Sequence, residues 1–442
     1  MFVDVKARAS GEKSENIDEK KSFVDLEKEI KRRQRRNKRY ILLGLLKKRM
    51  LKGKLEKRTS ILTCSHGAVP VTRKRKDGST YATGSTGEVL VKEITGTSKL
   101  GYSGLCRCGS GHICPVCNAI LKYHRLAEIQ QIIEVMFKNG YTVAHITLTG
   151  RHDRYTELQE FQKKFASAES DLKNSRTFRA FKSKIGGKYY IRVVEVTDDH
   201  PDAKIKTGWH YHIHTVLFIQ KGMFNQKDAD WLREKLKVQW VESLKKFGLS
   251  GEKEYAAKVQ YISLPDEDDE RAQINRIAEY VSKALQFELS GQPDKKTKVQ
   301  VKAGGPIGRG RVTAWELQEM VLTRDQPWLY IRYNQYIRAM KGVNWIRCSK
   351  GLKDFCGVEQ KTDQQIVNES KAEGEEVYNF TNEDFKIYAK MGFQGYILSF
   401  GEYAMQYGKT ATKGIEDFVK QRYCWKEVDY NLVERATGQI LA

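Results

Sequence analysis

Residues 209–220 read WHYHIHTVLFIQ, and this run limits the fold more than any other. His210, His212 and His214 recur at every second position within an apolar, β-branched stretch. Alternate side chains of a β-strand point to opposite faces, so the three imidazoles share one face. Tyr211, Ile213, Thr215 and Leu217 share the other and point into a core. The run is therefore predicted to be a strand with one buried face and one face that carries chemistry. Imidazoles crowded on one sheet face form a two-ligand platform for a metal, because each buried ring would otherwise need a polar partner of its own.

The surrounding text predicts the rest of a domain. Residues 121–138 place Leu126, Ile129, Ile133 and Met136 at helical spacing, and Asn139-Gly140 ends that helix. YTVAHITLTG (141–150) and KYYIRVVEVTDD (188–199) read as strands, with a helical segment at 156–183 between them. After the histidine strand come an amphipathic helix at 226–247, a strand at 255–264 and a helix at 271–289. This order predicts an α+β domain, an antiparallel ferredoxin-like (RRM-like) sheet covered by helices on one face. If 188–199 and 209–220 form a hairpin, Glu195 can face the histidines; taken alone it reads as a salt-bridged strand residue. Two imidazoles and one carboxylate suit Mn²⁺, Co²⁺, Ni²⁺ or Zn²⁺, and Mg²⁺ could serve at cellular abundance. Such an open site suits Lewis-acid chemistry on a phosphate.

In AEYVSKAL (278–285), Tyr280 and Lys283 lie three apart and share a helix face. A tyrosine hydroxyl becomes a nucleophile when its proton is removed or its charge is stabilised, and a nearby ammonium and a metal-bound phosphate would do that. A core tyrosine beside a surface lysine has the same spacing.

Of eight cysteines, Cys106, Cys108, Cys114 and Cys117 cluster, Cys64 lies upstream, and Cys348, Cys356 and Cys424 are scattered. In a reducing compartment clustered cysteines hold metal more often than they form disulfides. A tetrahedral structural Zn²⁺ is expected on Cys108, Cys114 and Cys117, with a fourth ligand from Cys64, Cys106, His66 or His112. The alternative is a redox role for CPVC (114–117).

Lys and Arg total 78 against 55 Asp and Glu, a net charge of +23, which points to a polyanionic partner and first of all to nucleic acid. Residues 31–58 hold fourteen basic residues and one acid, Glu56. They read as a basic helix broken near Gly44, either a solvated tail or a phosphate-binding arm using Arg32, Arg33, Arg35 and Arg36. A second basic segment, 290–312, offers Lys296, Arg309 and Arg311 as DNA contacts. ILLGLL (41–46) is too short to span a bilayer, and MFVDVKARAS is not a signal peptide, so a soluble cytoplasmic protein with no membrane partner is expected. The expected organisation is a basic, partly disordered or helical arm (1–60), a Cys-rich zinc module (61–120), the α+β domain (121–357), a linker (358–376) and a small, mostly helical tail (377–442).

Taken in order, these features resemble the HUH-type rolling-circle replication initiators, the Rep endonucleases of small plasmids. HITLTGRH (145–152) is similar to the family's first motif, WHYHIH (209–214) to its second, and EYVSKAL (279–285) to its tyrosine motif. CGSGHICPVC (108–117) resembles the cysteine segment of one plasmid Rep group, and YNQYIRAMKGVNWIRCSKGL (333–352) its aromatic, Lys-Gly-containing segment. The resemblance spans residues 100–355. It implies His212 and His214 as metal ligands with Glu195 as the third, Tyr280 as nucleophile, Lys283 as an orienting or charge-stabilising group, and His210 in support. It also implies catalytic Mn²⁺ or Mg²⁺, a 5′-phosphotyrosyl intermediate that frees a 3′-hydroxyl primer, and plasmid origin DNA, a host helicase and the replication machinery as partners. One departure stands out: where some plasmid initiators carry a second acid one turn before the tyrosine, this chain has Arg276. Glu279 lies about 100° round the helix from Tyr280 and substitutes poorly. A HUH-type transposase or mobilisation relaxase would share these motifs. A zinc-containing DNA-binding regulator without catalysis is the alternative of a different class.

Overall fold

The structure, a computed structural model, describes residues 17–421 apart from 75–79, 86, 186, 202, 204–206, 263–309 and 371. Tyr280, Lys283, Arg276, Glu279, Lys296 and Arg309 lie outside the described residues.

The chain opens with α1 (Ile17–Leu51) and a short α2 (Thr59–Thr63), followed by β1 (Pro70–Lys74), β2 (Thr80–Ser85), β3 (Glu88–Ile94), β4 (Leu100–Ser103) and α3 (Pro115–Lys138). The expected break near Gly44 does not occur. One interior glycine costs a helix about 1 kcal/mol. Here Ile41, Leu42, Leu43, Leu45, Leu46 and Met50 are all buried in the main core around it. Burial at about 1.5–3 kcal/mol for each large side chain outweighs that cost.

Next come β5 (Tyr141–Thr149), α4 (Leu158–Asn174), α5 (Arg176–Lys184), β6 (Tyr190–Asp199), β7 (His210–Gln220), α6 (Gln226–Lys246) and β8 (Ala257–Ile262). After the undescribed stretch follow β9 (Arg311–Thr313), α7 (Ala314–Thr323), α8 (Pro327–Ala339), β10 (Ile346–Cys348) and α9 (Leu352–Phe355). The central sheet is antiparallel in the order β10–β6–β7–β5–β8, with β9 pairing the end of β6. On one face Ile146, Leu148, Val194, Val196, Tyr211 and Ile213 join Phe161 and Phe165 of α4 and Leu236 and Trp240 of α6. The Trp240 indole N–H donates to the Thr149 carbonyl at 2.8 Å, which ties α6 to the end of β5.

Helices do not cover this sheet on one face alone. Val143, Ile191, Val193, Val216 and Phe218 form the opposite face at one end of the strands, and they pack on Ile129, Ile133, Met136 and Phe137 of α3. Strands that are apolar on both sides must be covered on both sides. Toward the other end of that second face the outward side chains turn polar: Thr147, Thr149, Glu195 and the three histidines of β7.

The C-terminal segment contains α10 (Asp363–Glu369), β11 (Gly374–Thr381), α11 (Asn382–Met391), α12 (Gln394–Gln406) and α13 (Ala411–Lys420). Residues 358–376, read from sequence as a linker, therefore hold a helix and the first turns of a strand's pairing. β11 pairs with β3 in a three-stranded sheet, β11–β3–β4, so this segment packs onto the Cys-rich region. Gly374 makes the close approach possible: its φ is +146°, and a Cβ there would fall 1.7 Å from the Glu93 carbonyl oxygen. Among the described residues no helix is long and apolar enough to cross a membrane.

Candidate active site and metal centres

Strand register assembles the histidine site. Across β5 and β7, Thr149 lies opposite His212 and Thr147 opposite His214. Across β6 and β7, Glu195 lies opposite His212 and Thr197 opposite His210. His214 Nε2 is 2.6 Å from Glu195 Oε2, and its Nδ1 is 3.2 Å from Thr147 Oγ1. His212 Nδ1 is 2.8 Å from Thr149 Oγ1, while its Nε2 meets His210 Nδ1. The two threonines thus meet both rings at Nδ1, while each Nε2 faces another polar group of the same sheet face, Glu195 for His214 and His210 for His212.

A fourth histidine belongs to this face. His145 of β5 stacks on His214 with centroids 5.3 Å apart, and its Nδ1 lies 3.5 Å from Gln260 Oε1 of β8. His152, after β5, stands edge-on to His210 at 4.5 Å and donates from Nδ1 to the Thr207 carbonyl at 2.9 Å. His145, Thr147, Thr149, His152 and Gln260 were not picked out as site residues in the sequence. Finding the threonines requires the register, although HITLTGRH already contained four of the five.

Burial acts against the charged forms of His145, His210 and His212. It pushes His145 down to about 4, helped by the neighbouring His214 and opposed by the Gln260 hydrogen bond. It takes His210 to about 3 with the charges of Arg311 and His152 adding, and holds His212 well below its ordinary value. For Glu195 burial acts upward, but the hydrogen bond and charge of His214, with His212 and Arg311, outweigh it and hold the carboxyl below its usual range. His212, His214 and Glu195 thus lie together on one sheet face, with His210 adjoining. Arg311, an expected DNA contact, stands at its rim, donating to Thr207 Oγ1 at 2.7 Å and lying 4.0 Å from Asp199.

The second constellation is made of sulfur. Cys64, Cys108, Cys114 and Cys117 form a group whose thiols all lie within 4.8 Å of one another. The pairs Cys64–Cys114, Cys64–Cys117 and Cys108–Cys117 are each 3.6 Å apart. A tetrahedron with Zn–S bonds of about 2.3 Å has edges of about 3.8 Å, so the four thiols fit Zn²⁺. The fourth member is Cys64, brought in by the loop after α2. Cys106 stands outside the group, and His112 is hydrogen-bonded to the Val343 carbonyl at 3.0 Å. Backbone N–H groups of Cys117 and Ser110 donate to Cys114 and Cys108 sulfurs, each at 3.5 Å. Hydrogen bonds from Cys108, Cys114 and Cys117 pull the Cys64 thiol well below its ordinary value. Lys47 of α1 donates to the Cys64 carbonyl at 2.5 Å, bringing an ammonium close to the sulfurs.

The N-terminal arginines do not form the arm expected of them. Arg32, Arg33 and Arg36 converge on Glu402 of α12 at 2.8, 3.1 and 2.7 Å, and the Glu402 side chain has no exposed surface. A buried carboxylate needs such partners, and it engages three of the four cations proposed for DNA. Arg35 remains exposed.

A sequence model of a family described as replication protein matches residues 98–387, well over half of the chain. A curated relative from Streptomyces lividans, named Protein rep, is 22% identical over 351 residues, covering 66% of this chain and 73% of its own length. No solved structure matches.

Proposed function

The chain belongs to the replication-protein family, and from that membership we propose that it starts rolling-circle replication of a plasmid by nicking and later rejoining one strand of origin DNA. Tyr280 is the nucleophile in this reading. Its oxygen bonds to the scissile phosphorus as the P–O3′ bond breaks, its proton passes to solvent or the departing oxygen, and the freed 3′-hydroxyl becomes the primer. Lys283, three residues on in the sequence, stabilises the phenolate that develops. His212, His214 and Glu195 would hold a divalent cation, Mn²⁺ or Mg²⁺, which when bound supplies Lewis-acid polarisation of the phosphate. Thr147 and Thr149 keep the two imidazoles facing that position. The 5′-phosphotyrosyl ester keeps the energy of the phosphodiester, so a later 3′-hydroxyl can reseal the strand. Arg311 and the rest of the basic 290–312 segment would steady the DNA backbone. The four cysteines hold a structural Zn²⁺. A host helicase and polymerase in the cytoplasm would extend the primer.

The observation that carries this reading is the convergence of His212, His214 and Glu195 on one polar sheet face in a replication-family chain. The test is incubation of full-length protein with Mn²⁺ and single-stranded origin oligonucleotides, followed by mass spectrometry of the covalent adduct. The expected result is a DNA fragment on Tyr280 that is lost in Tyr280→Phe, with binding retained. An adduct of normal yield in Tyr280→Phe overturns the assignment.

A further inference from the structure

A cleft of about 440 Å³ opens where β6 ends and β7 begins. Its walls include Arg154, Asp198, Asp199, Gly208, Trp328 and Arg332. It continues the line of the histidines: Gly208 and Trp209 directly precede His210, and Asp198 and Asp199 directly follow Thr197, the residue opposite His210. From His212 to Gly208 is four residues, at most about 13 Å.

The lining combines fixed acceptors with an aromatic face. Two aspartates stand in the wall. The Arg332 guanidinium is already engaged: its Nε donates to Asp198 Oδ2 at 2.8 Å and its Nη2 to Asp198 Oδ1 at 2.5 Å, its Nη1 donates to Gln335 at 3.2 Å, and its central carbon lies 4.4 Å from the Trp209 ring centroid. Arg154 lies over the Tyr155 ring at 4.6 Å. Asp199 accepts from the Gly208 N–H at 2.6 Å and from Thr207 at 3.1 Å, so its carboxylate is held in place with lone pairs left to accept more. Gly208 permits this tight wall: its φ is +80°, and a Cβ would lie 2.3 Å from the Asp153 carbonyl oxygen. Trp328 is 39% exposed, and its indole N–H is already bonded to Gln326 at 3.0 Å. What Trp328 offers is its ring face. An aromatic face beside fixed carboxylate acceptors matches a heterocycle bearing an exocyclic amine.

We propose that this cleft binds an unpaired, amino-bearing nucleobase of the origin strand, a few nucleotides from the reacting phosphate, stacked on Trp328 with its amine on Asp199. The inference rests on the reading of the protein as acting on single-stranded origin DNA. It makes the cleft a specificity element that fixes the position of the nick.

The test uses full-length protein and labelled single-stranded origin oligonucleotides carrying one abasic site at a time, with binding followed by fluorescence anisotropy. Wild-type binding is expected to fall on the order of ten-fold at one position. Trp328→Ala should weaken binding of the intact strand by a similar factor and lose sensitivity at that position, and Trp328→Phe should recover most of both. An independent arm needs no variant: replacing the base at each position by an amine-free analogue should weaken wild-type binding at that same position. Trp328→Ala binding the intact strand as wild type does, or no single position at which base loss matters, overturns the proposal. Adduct formation on Tyr280 without a position-specific base effect sinks the cleft alone. Position-specific binding without any adduct sinks the nicking mechanism and leaves the cleft standing.

Discussion

The thiol group and the histidine face are built on opposite principles. The cysteines come from a loop after α2, a loop before α3 and the first turn of α3, and their sulfurs surround a common point in the protein interior. The histidines and Glu195 come from neighbouring strands of one sheet, and they flank a position rather than enclose it. Four thiolates leave a bound ion no free coordination position, which is the mark of a structural site. Under the proposed function, a cation held by two imidazoles and a carboxylate would keep positions open for a phosphate oxygen. The supports differ in the same way. Cysteine donors are held by backbone N–H groups of a tight turn, whereas the imidazoles are held by threonine hydroxyls of the adjacent strand. Under the proposed function, the thiol group should govern stability and the histidine face rate.

The strongest test of that division is Cys64→Ser. It removes the ligand that links the α2 loop to α3. The variant should lose its one zinc ion by native mass spectrometry and several kcal/mol of stability in denaturant unfolding. Unchanged zinc content and unfolding would break the structural half of the comparison. Next in size, His212→Ala combined with His214→Ala should reduce origin cleavage on the order of 10³-fold, since metal assistance is worth several kcal/mol. Its thermal midpoint should stay within a few degrees of wild type, because the rings lie on the polar face and outside the two apolar clusters. A variant that nicks normally would show that the rings hold no catalytic ion.

A smaller effect separates the framework from both sites. Burial acts upward on the Glu402 carboxyl, but Arg36, Arg32 and the Leu100 N–H outweigh it, so its folded value lies below its ordinary one. A lowered carboxyl contributes its full stability above its unfolded value of about 4.3, and that contribution is lost as pH falls through the folded value. Limited proteolysis should therefore find α1 released first as pH drops below about 4.3. Glu402→Gln should lose this acid dependence and about 3 kcal/mol at neutral pH, the cost of leaving buried arginines without their partner. Equal cleavage of α1 in both proteins at neutral pH would show that the ion cluster does not hold the helix.

Much of the central sheet could be read from local periodicity. The spacing of WHYHIH placed three rings on one face without knowledge of any other strand, because side-chain alternation is a property of the strand alone. Five central elements, β5, β6, β7, α6 and β8, begin and end within a few residues of their predicted limits for the same reason. The coverage of the second face by α3 was missed, since an apolar helix before the first strand does not announce which face it will meet. The fate of the N-terminal arginines was missed for a stronger reason: their partner, Glu402, lies 366 residues from Arg36 in the chain.

The sequence by itself determined which residues could share a face, that sulfur ligands would gather near 108–117, and that the chain carries an excess of positive charge. Periodicity, short-range spacing and composition are local quantities, and they survive without coordinates. Only the tertiary structure decided that Cys64 completes the thiol group, that Thr147 and Thr149 orient His214 and His212, and that Arg32, Arg33 and Arg36 turn inward. Each of those outcomes depends on strand register or on packing between distant segments, where a carboxylate or an imidazole is satisfied by whichever neighbour the fold brings to it.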